Sequence, residues 1–182
     1  MIISTLPNLL TLGRIALIPI LVAAFYTQTS LGRWIAAIVF ISACLTDYLD
    51  GYVARAWSQT SRLGQFLDPI ADKLLVASTL LLLAGFGRIS TYSLLPAIVI
   101  LCREIMVSGL REFLSDFNVT VPVTRLAQFK TAIQMIAISL LLLADASFGQ
   151  SMLMVGEGML WVAAVMTLFS GYDYLRIGFK HL

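Results

Sequence analysis

Apolar residues in this chain come in long unbroken stretches, separated by short polar clusters. LLVASTLLLLAGF, at 74–86, is typical. Six such segments can be marked, at roughly 9–26, 34–54, 68–86, 92–113, 129–144 and 152–171. Most approach the ~20 residues that cross a hydrocarbon core of about 30 Å as a helix rising 1.5 Å per residue. Lipid offers backbone groups no hydrogen-bond partner, so spanning structure must be helix or closed barrel. Barrel strands alternate apolar and polar positions over about ten residues. Continuous runs predict helices instead. The predicted fold is all-α: a polytopic membrane protein with six transmembrane helices. The connections are short, with no linker, low-complexity tract or repeat, so residues 1–182 read as a single domain. The first run needs one decision. Arg14 followed by apolar 15–25, with the small residues Ala23 and Ala24 near its end, imitates a signal peptide. The run already begins at Leu9, however, which favours a retained first span.

Composition sharpens this picture. The chain is 59% hydrophobic and 12% charged, with a mean hydropathy of +0.92. A soluble domain carries about 25% charged residues. A soluble globular class is therefore excluded, and no nucleic-acid partner is expected. Net charge of +2 says little, but the placement of Lys and Arg does. With both termini cytoplasmic, the loops after spans two and four carry Arg55, Arg62 and Arg125, flanked by Lys73, Arg111 and Lys130. The tail adds Arg176 and Lys180, and the opposite side receives Arg33 and Arg88. This bias predicts both termini and the polar loops of that side to be cytoplasmic, and the expected location is a bacterial-type inner membrane. Cys44 and Cys102 fit no metal or disulfide spacing and read as small hydrophobes. Trp34, Tyr92 and Trp161 read as interfacial or packing aromatics. His181 and Glu157 receive no role.

The polar residues that change the picture most are Asp47, Asp50, Asp68 and Asp72. Four of the chain's 10 acidic residues thus fall in one window, at the cytoplasmic ends of spans two and three. Asp47 and Asp50 are i,i+3, and Asp68 and Asp72 are i,i+4, so each pair shares a helical face. An antiparallel hairpin of the two spans would bring the pairs together. Ionisable groups at a bilayer are costly and usually functional. Unpaired, four such anions would repel one another. Hard divalent cations resolve that conflict, since carboxylate oxygens suit two Mg²⁺-like ions and leave positions for phosphate or water. Gly51, Ala54 and Gly64 lie on or beside these faces and let a bulky ligand approach, although close helix packing alone also uses small residues. Arg55 adds a cation suited to phosphate. Asp68 precedes Pro69 and could merely cap the third helix. Capping leaves Asp72 and the pair on span two unexplained.

The whole stretch reads D-x2-D-G-x2-A-R-x8-G-x3-D-x3-D. It resembles the signature of the CDP-alcohol phosphatidyltransferases at every fixed position. That resemblance implies a six-helix membrane fold, usually dimeric, with two divalent ions, Mg²⁺ or alternatively Mn²⁺, at the cytoplasmic interface. It further implies that Asp47, Asp50, Asp68 and Asp72 hold the metals and that Asp72 also acts as general base. Asp50, Gly51, Ala54, Arg55 and Gly64 would surround the CDP of CDP-diacylglycerol.

Outside the signature, PNLLTLGRI, FLDPIADKLL, REI, SGLRE and KTAIQM resemble the branch of that family whose acceptor is glycerol 3-phosphate. Arg103, Val107 and Arg111 fall at i, i+4, i+8 and form one stripe along span four. Glu104, Ser108 and Glu112 form the adjacent stripe, and Lys130 opens span five. Arg103, Arg111, Lys130 and Arg125 are the candidate ligands of an acceptor phosphate. The competing reading pairs the arginines internally with Glu104 and Glu112. The branch often has Gly-Lys where this chain has Ala127 and Gln128, with Arg125 just upstream. Asn8, Thr11 and Arg14 either approach the site from span one or serve as cap and snorkelling cation. Two rival functions are a sister transferase with another acceptor (serine, inositol phosphate or phosphatidylglycerol) and a divalent-cation transporter. Transporter sites usually lie near the bilayer midplane, whereas these aspartates sit at one interface.

Overall fold

The structure, a computed structural model, describes the backbone of residues 6–57, 62–116, 125–144 and 149–178. Side chains are described for 10–47, 67–114, 127–144, 149–172 and 174–176. Six helices follow one another: α1 Leu6–Tyr26, α2 Ser30–Trp57, α3 Arg62–Gly85, α4 Leu94–Asp116, α5 Arg125–Leu143 and α6 Gly149–Gly178. A single 3-10 turn, Thr91–Ser93, leads into α4. Among the described residues there is no strand. Each helix matches one apolar run, so the helical reading of the sequence stands.

The bundle has two halves. In one, α1 packs on both α2 and α3. In the other, α6 packs on α5 and α4, and α2 meets α5 to join them. The shared interior holds Leu21, Phe25, Phe40, Leu75, Leu83, Ile100, Ile138 and Leu141, all fully or almost fully buried. Small residues line the seam between α5 and α6. Ala137, Ala163 and Ala164 are buried there, and a Cβ on Gly156 would meet Leu141 Cδ2 at 2.9 Å. Such residues let helix backbones approach closely where no hydrophobic gradient drives association.

The outside is as apolar as the inside. Ile20, Leu81, Ile98, Ile105, Leu168 and Phe169 are among many large hydrophobic side chains left exposed. A water-soluble monomer does not carry apolar patches of this extent, but a lipid-facing one does. Among the described residues, three helical segments are long and apolar enough to cross a membrane: Ser30–Asp47, Thr91–Leu114 and Gly149–Arg176. Leu10–Tyr26 and Ala127–Leu143 are shorter apolar helices. α3 carries Asp68, Asp72 and Lys73 in its first half, which dilutes its apolar character.

One sequence reading is corrected here. α3 begins at Arg62, so Pro69 and Asp68 lie about two turns inside the helix rather than at its start. Asp68 is therefore not an N-cap. Pro69 has no N–H to offer, which leaves the Gln65 carbonyl without its helical donor beside the aspartates.

Gly32 fixes the turn between α1 and α2, where a Cβ would meet Thr27 Oγ1 and come within 2.5 Å of the Ala24 carbonyl oxygen. The ends of α1, α3 and α5 and the starts of α2, α4 and α6 gather at one pole. A cavity of about 850 Å³ opens there, lined in part by Gln28, Arg33, Arg88, Ser90 and Gln150. Arg33 and Arg88, the two cations assigned to the far side from sequence, thus share one end of the molecule. Glu157 is at the same pole. It accepts hydrogen bonds from Ser90 N and, at 3.0 Å, from Ser90 Oγ, bracing the 3-10 turn that starts α4.

Candidate active site

The aspartates lie at the opposite pole, where α2 ends and α3 begins. They do not meet through a direct α2–α3 hairpin. Among the described residues those two helices barely touch, and α1 packs against both. α1 also supplies the groups that gather the carboxylates. Thr11 and Arg14 are one turn apart on the same face and fully or almost fully buried. Thr11 Oγ1 donates to Asp68 Oδ1. Arg14 Nη1 donates to Asp47 Oδ1, and Nη2 reaches Asp68 Oδ1 at 3.4 Å. One guanidinium thereby ties a carboxylate of α2 to a carboxylate of α3. The Arg14 side chain is 2% exposed, whereas Asp47 and Asp68 are 43% and 45% exposed. The cation sits beneath, and the carboxylates reach past it to the surface.

Asp72 lies one turn deeper on α3. It is close enough to Asp47, Glu104, Lys73 and Arg14 for their charges to act on it. Lys73 Nζ lies 3.4 Å from the Pro69 carbonyl oxygen on the same helix. Asp47 and Asp68 are thus joined through Arg14, and charged groups on α1, α2, α3 and α4 act on Asp72. The side chains of Asp50, Gly51, Ala54, Arg55, Gly64 and Arg125 lie outside the described residues, as does that of Asn8.

Beyond Asp72 lies a second polar cluster. Lys130 of α5, 1% exposed, donates to Glu104 Oε1 of α4. Arg103 Nη1 reaches the same oxygen at 3.5 Å, and its Nη2 donates to Ser170 Oγ of α6 at 2.9 Å. The Arg103 guanidinium also stands 5.5 Å from the centre of the Tyr174 ring, a cation–π arrangement. Gly171 makes room for the arginine stem, since a Cβ there would meet Arg103 Cγ at 3.2 Å. Lys130 feels the charge of Asp72 as well as of Glu104 and Arg103. Arg111 and Glu112 are exposed.

The predicted stripe thus divides. Arg103 and Val107 face the bundle interior, and Arg111 stands at its surface. Internal pairing does occur, but its partners are Glu104 with Lys130 and Arg103 rather than Glu112 with Arg111. Sequence spacing compares residues of one helix, and the Glu104–Lys130 pair joins two.

The donor set suits hard divalent cations by type: carboxylate oxygens, partly exposed, gathered at one rim. Among the described residues, no three or more His, Cys, Asp or Glu side chains come close enough together to hold an ion. The two carboxylates of Asp47 and Asp68 are instead gathered on one cation, and the fourth aspartate of the pattern is Asp50.

Comparison with known proteins identifies the family. The family profile described as CDP-alcohol phosphatidyltransferase matches residues 4–169. A protein of Rickettsia felis is 44% identical over 95% of this chain and 94% of its own length. One of Pectobacterium atrosepticum is 40% identical over 94% of this chain and 93% of its own. One of Arabidopsis thaliana is 42% identical over 96% of this chain and 79% of its own. The first two are named CDP-diacylglycerol–glycerol-3-phosphate 3-phosphatidyltransferase, and the third carries the same name with the number 2. The chain is an enzyme, and it belongs to the CDP-alcohol phosphatidyltransferase family.

Proposed function

We propose that this chain transfers the phosphatidyl group of CDP-diacylglycerol to sn-glycerol 3-phosphate, giving phosphatidylglycerophosphate and CMP. One observation carries the reading. Asp47 and Asp68 share Arg14 at one pole of an apolar helical bundle, and Asp47 and Lys130 lie in electrostatic reach of Asp72. The relatives bearing the name of this reaction support it over nearly the full chain.

Asp47, Asp50, Asp68 and Asp72 would hold two divalent ions, Mg²⁺ or Mn²⁺. When bound, such ions neutralise diphosphate charge and stabilise attacking and leaving oxygens. Arg55, with Asp50, Gly51, Ala54 and Gly64, receives the cytidine diphosphate. Asp72 accepts the proton of the acceptor hydroxyl as general base. The acceptor oxygen forms its bond to the β-phosphorus, which bears diacylglycerol, while the bond from that phosphorus to the oxygen of CMP breaks. Arg111, Lys130, Arg103 and Arg125 take the acceptor's own phosphate. Lys130 and Arg103 do so while sharing Glu104, which keeps two cations from standing buried without a counter-charge.

All six helices span the membrane in this reading, with the aspartate pole and both termini cytoplasmic in a bacterial-type inner membrane, and two copies form a homodimer. The nucleotide-activated lipid enters laterally across the apolar flank, and the soluble acceptor enters from the cytoplasm. The test is substrate specificity in purified protein with Mg²⁺. Labelled glycerol 3-phosphate should enter the lipid phase with one CMP released per transfer. Incorporation of serine, inositol phosphate or phosphatidylglycerol in its place would overturn the acceptor.

A further inference from the structure

The signature aspartates present a problem that α1 solves. Asp47 and Asp68 belong to helices that, among the described residues, hardly touch, and as anions they repel when brought to one rim. Arg14 Nη1 holds the first and Nη2 reaches the second, and Thr11 holds the second again. A planar guanidinium can grip two carboxylates at once through separate nitrogens, whereas an ammonium is a point charge. The charge of Arg14 has a cost for metal binding. A fixed positive charge touching two metal-ligand carboxylates repels an incoming dication and contends with it for their oxygens.

We propose that Arg14 is a positioning residue that serves as a built-in counter-cation: it holds Asp47 and Asp68 together before metal arrives and yields their charge to the divalent ion when it does. This rests on the reading that those aspartates hold divalent ions. It makes affinity and stability move in opposite directions. Losing Arg14 weakens the metal-free protein but strengthens metal binding, because a unit charge about 5 Å from a dication matters by at least an order of magnitude in affinity, even at high effective dielectric. A merely structural arginine would, when removed, lower both.

The test uses the full-length protein in detergent, with Mn²⁺ binding followed by electron paramagnetic resonance and unfolding temperature measured in chelator and in saturating Mn²⁺. The variants are R14Q, R14K and D47N. Wild type should bind Mn²⁺ at a site that D47N weakens. R14Q should bind Mn²⁺ about tenfold or more tightly than wild type. It should unfold several degrees lower in chelator and gain more from Mn²⁺ than wild type does. R14K keeps the charge and loses the two-pronged grip, so its gain from Mn²⁺ should also exceed that of wild type. That comparison decides the matter if R14Q does not fold. Manganese binding that D47N weakens but R14Q leaves unchanged or weaker overturns the role of Arg14 alone, as does an equal gain in wild type and R14K. Absence of any D47N-sensitive binding in wild type overturns the metal reading together with it.

Discussion

In the proposed reaction Asp72 takes the proton and Lys130 binds the acceptor phosphate, and the charge of Asp72 reaches Lys130. Replacing Asp72 by Asn keeps the shape and removes the base. Turnover should fall by about 10²–10⁴-fold, the usual contribution of a positioned base. The unfolding temperature should stay within a few degrees of wild type, and near-normal turnover by D72N would remove Asp72 from that role. Lys130→Met should raise KM for glycerol 3-phosphate at least tenfold and change KM for CDP-diacylglycerol little, as initial rates with each substrate varied in turn will show. The aspartates were legible in the sequence because their spacing is local to two helices and their cost in a membrane is high. Arg14 and Thr11 were only half legible. One turn of separation put them on one face, but nothing in the spacing said which of two helices that face would meet. Glu157 could not be interpreted at all, because its partner Ser90 lies on a turn far away in the chain.

At the scale of elements, α1 is the keystone of the site. Its two polar side chains reach α2 and α3, so its placement decides where the carboxylates sit. Gly32 governs that placement through the α1–α2 turn. Gly32→Ala puts a Cβ 2.5 Å from the Ala24 carbonyl oxygen. Overpacking of this kind typically costs about 1–3 kcal/mol. The variant should show a lower unfolding temperature and, through displaced Arg14, a lower turnover, whereas a neutral result in both would mean that the turn adjusts freely. All six helices were readable from apolar runs because a membrane core demands length and continuity. Their polar extensions were not. α3 starts at Arg62 and α6 continues to Gly178, beyond the apolar runs, since turns of a helix outside an apolar core need not be hydrophobic. That is why Asp68 resembled a cap in sequence and is an interior residue in the fold.

The whole molecule has two chemically different poles. One gathers the signature aspartates, Arg14, Glu104 and Lys130. The other gathers Arg33 and Arg88 around an open cavity, with Glu157 bound to Ser90 of its lining. In cysteine-free protein placed in oriented vesicles, a cysteine introduced at Arg111 should react with an impermeant maleimide from the cytoplasmic side only. One introduced at Gln150 should react from the opposite side only. The reverse pattern would invert the topology. The most direct measurement of the proposed reaction gives purified protein CDP-diacylglycerol, Mg²⁺ and competing labelled acceptors, and follows label entering lipid against CMP released. Glycerol 3-phosphate alone should be incorporated, one for each CMP, with the signal abolished by chelator and by D72N. Incorporation of a different acceptor, or no CMP release from folded protein with any acceptor, would contradict the account.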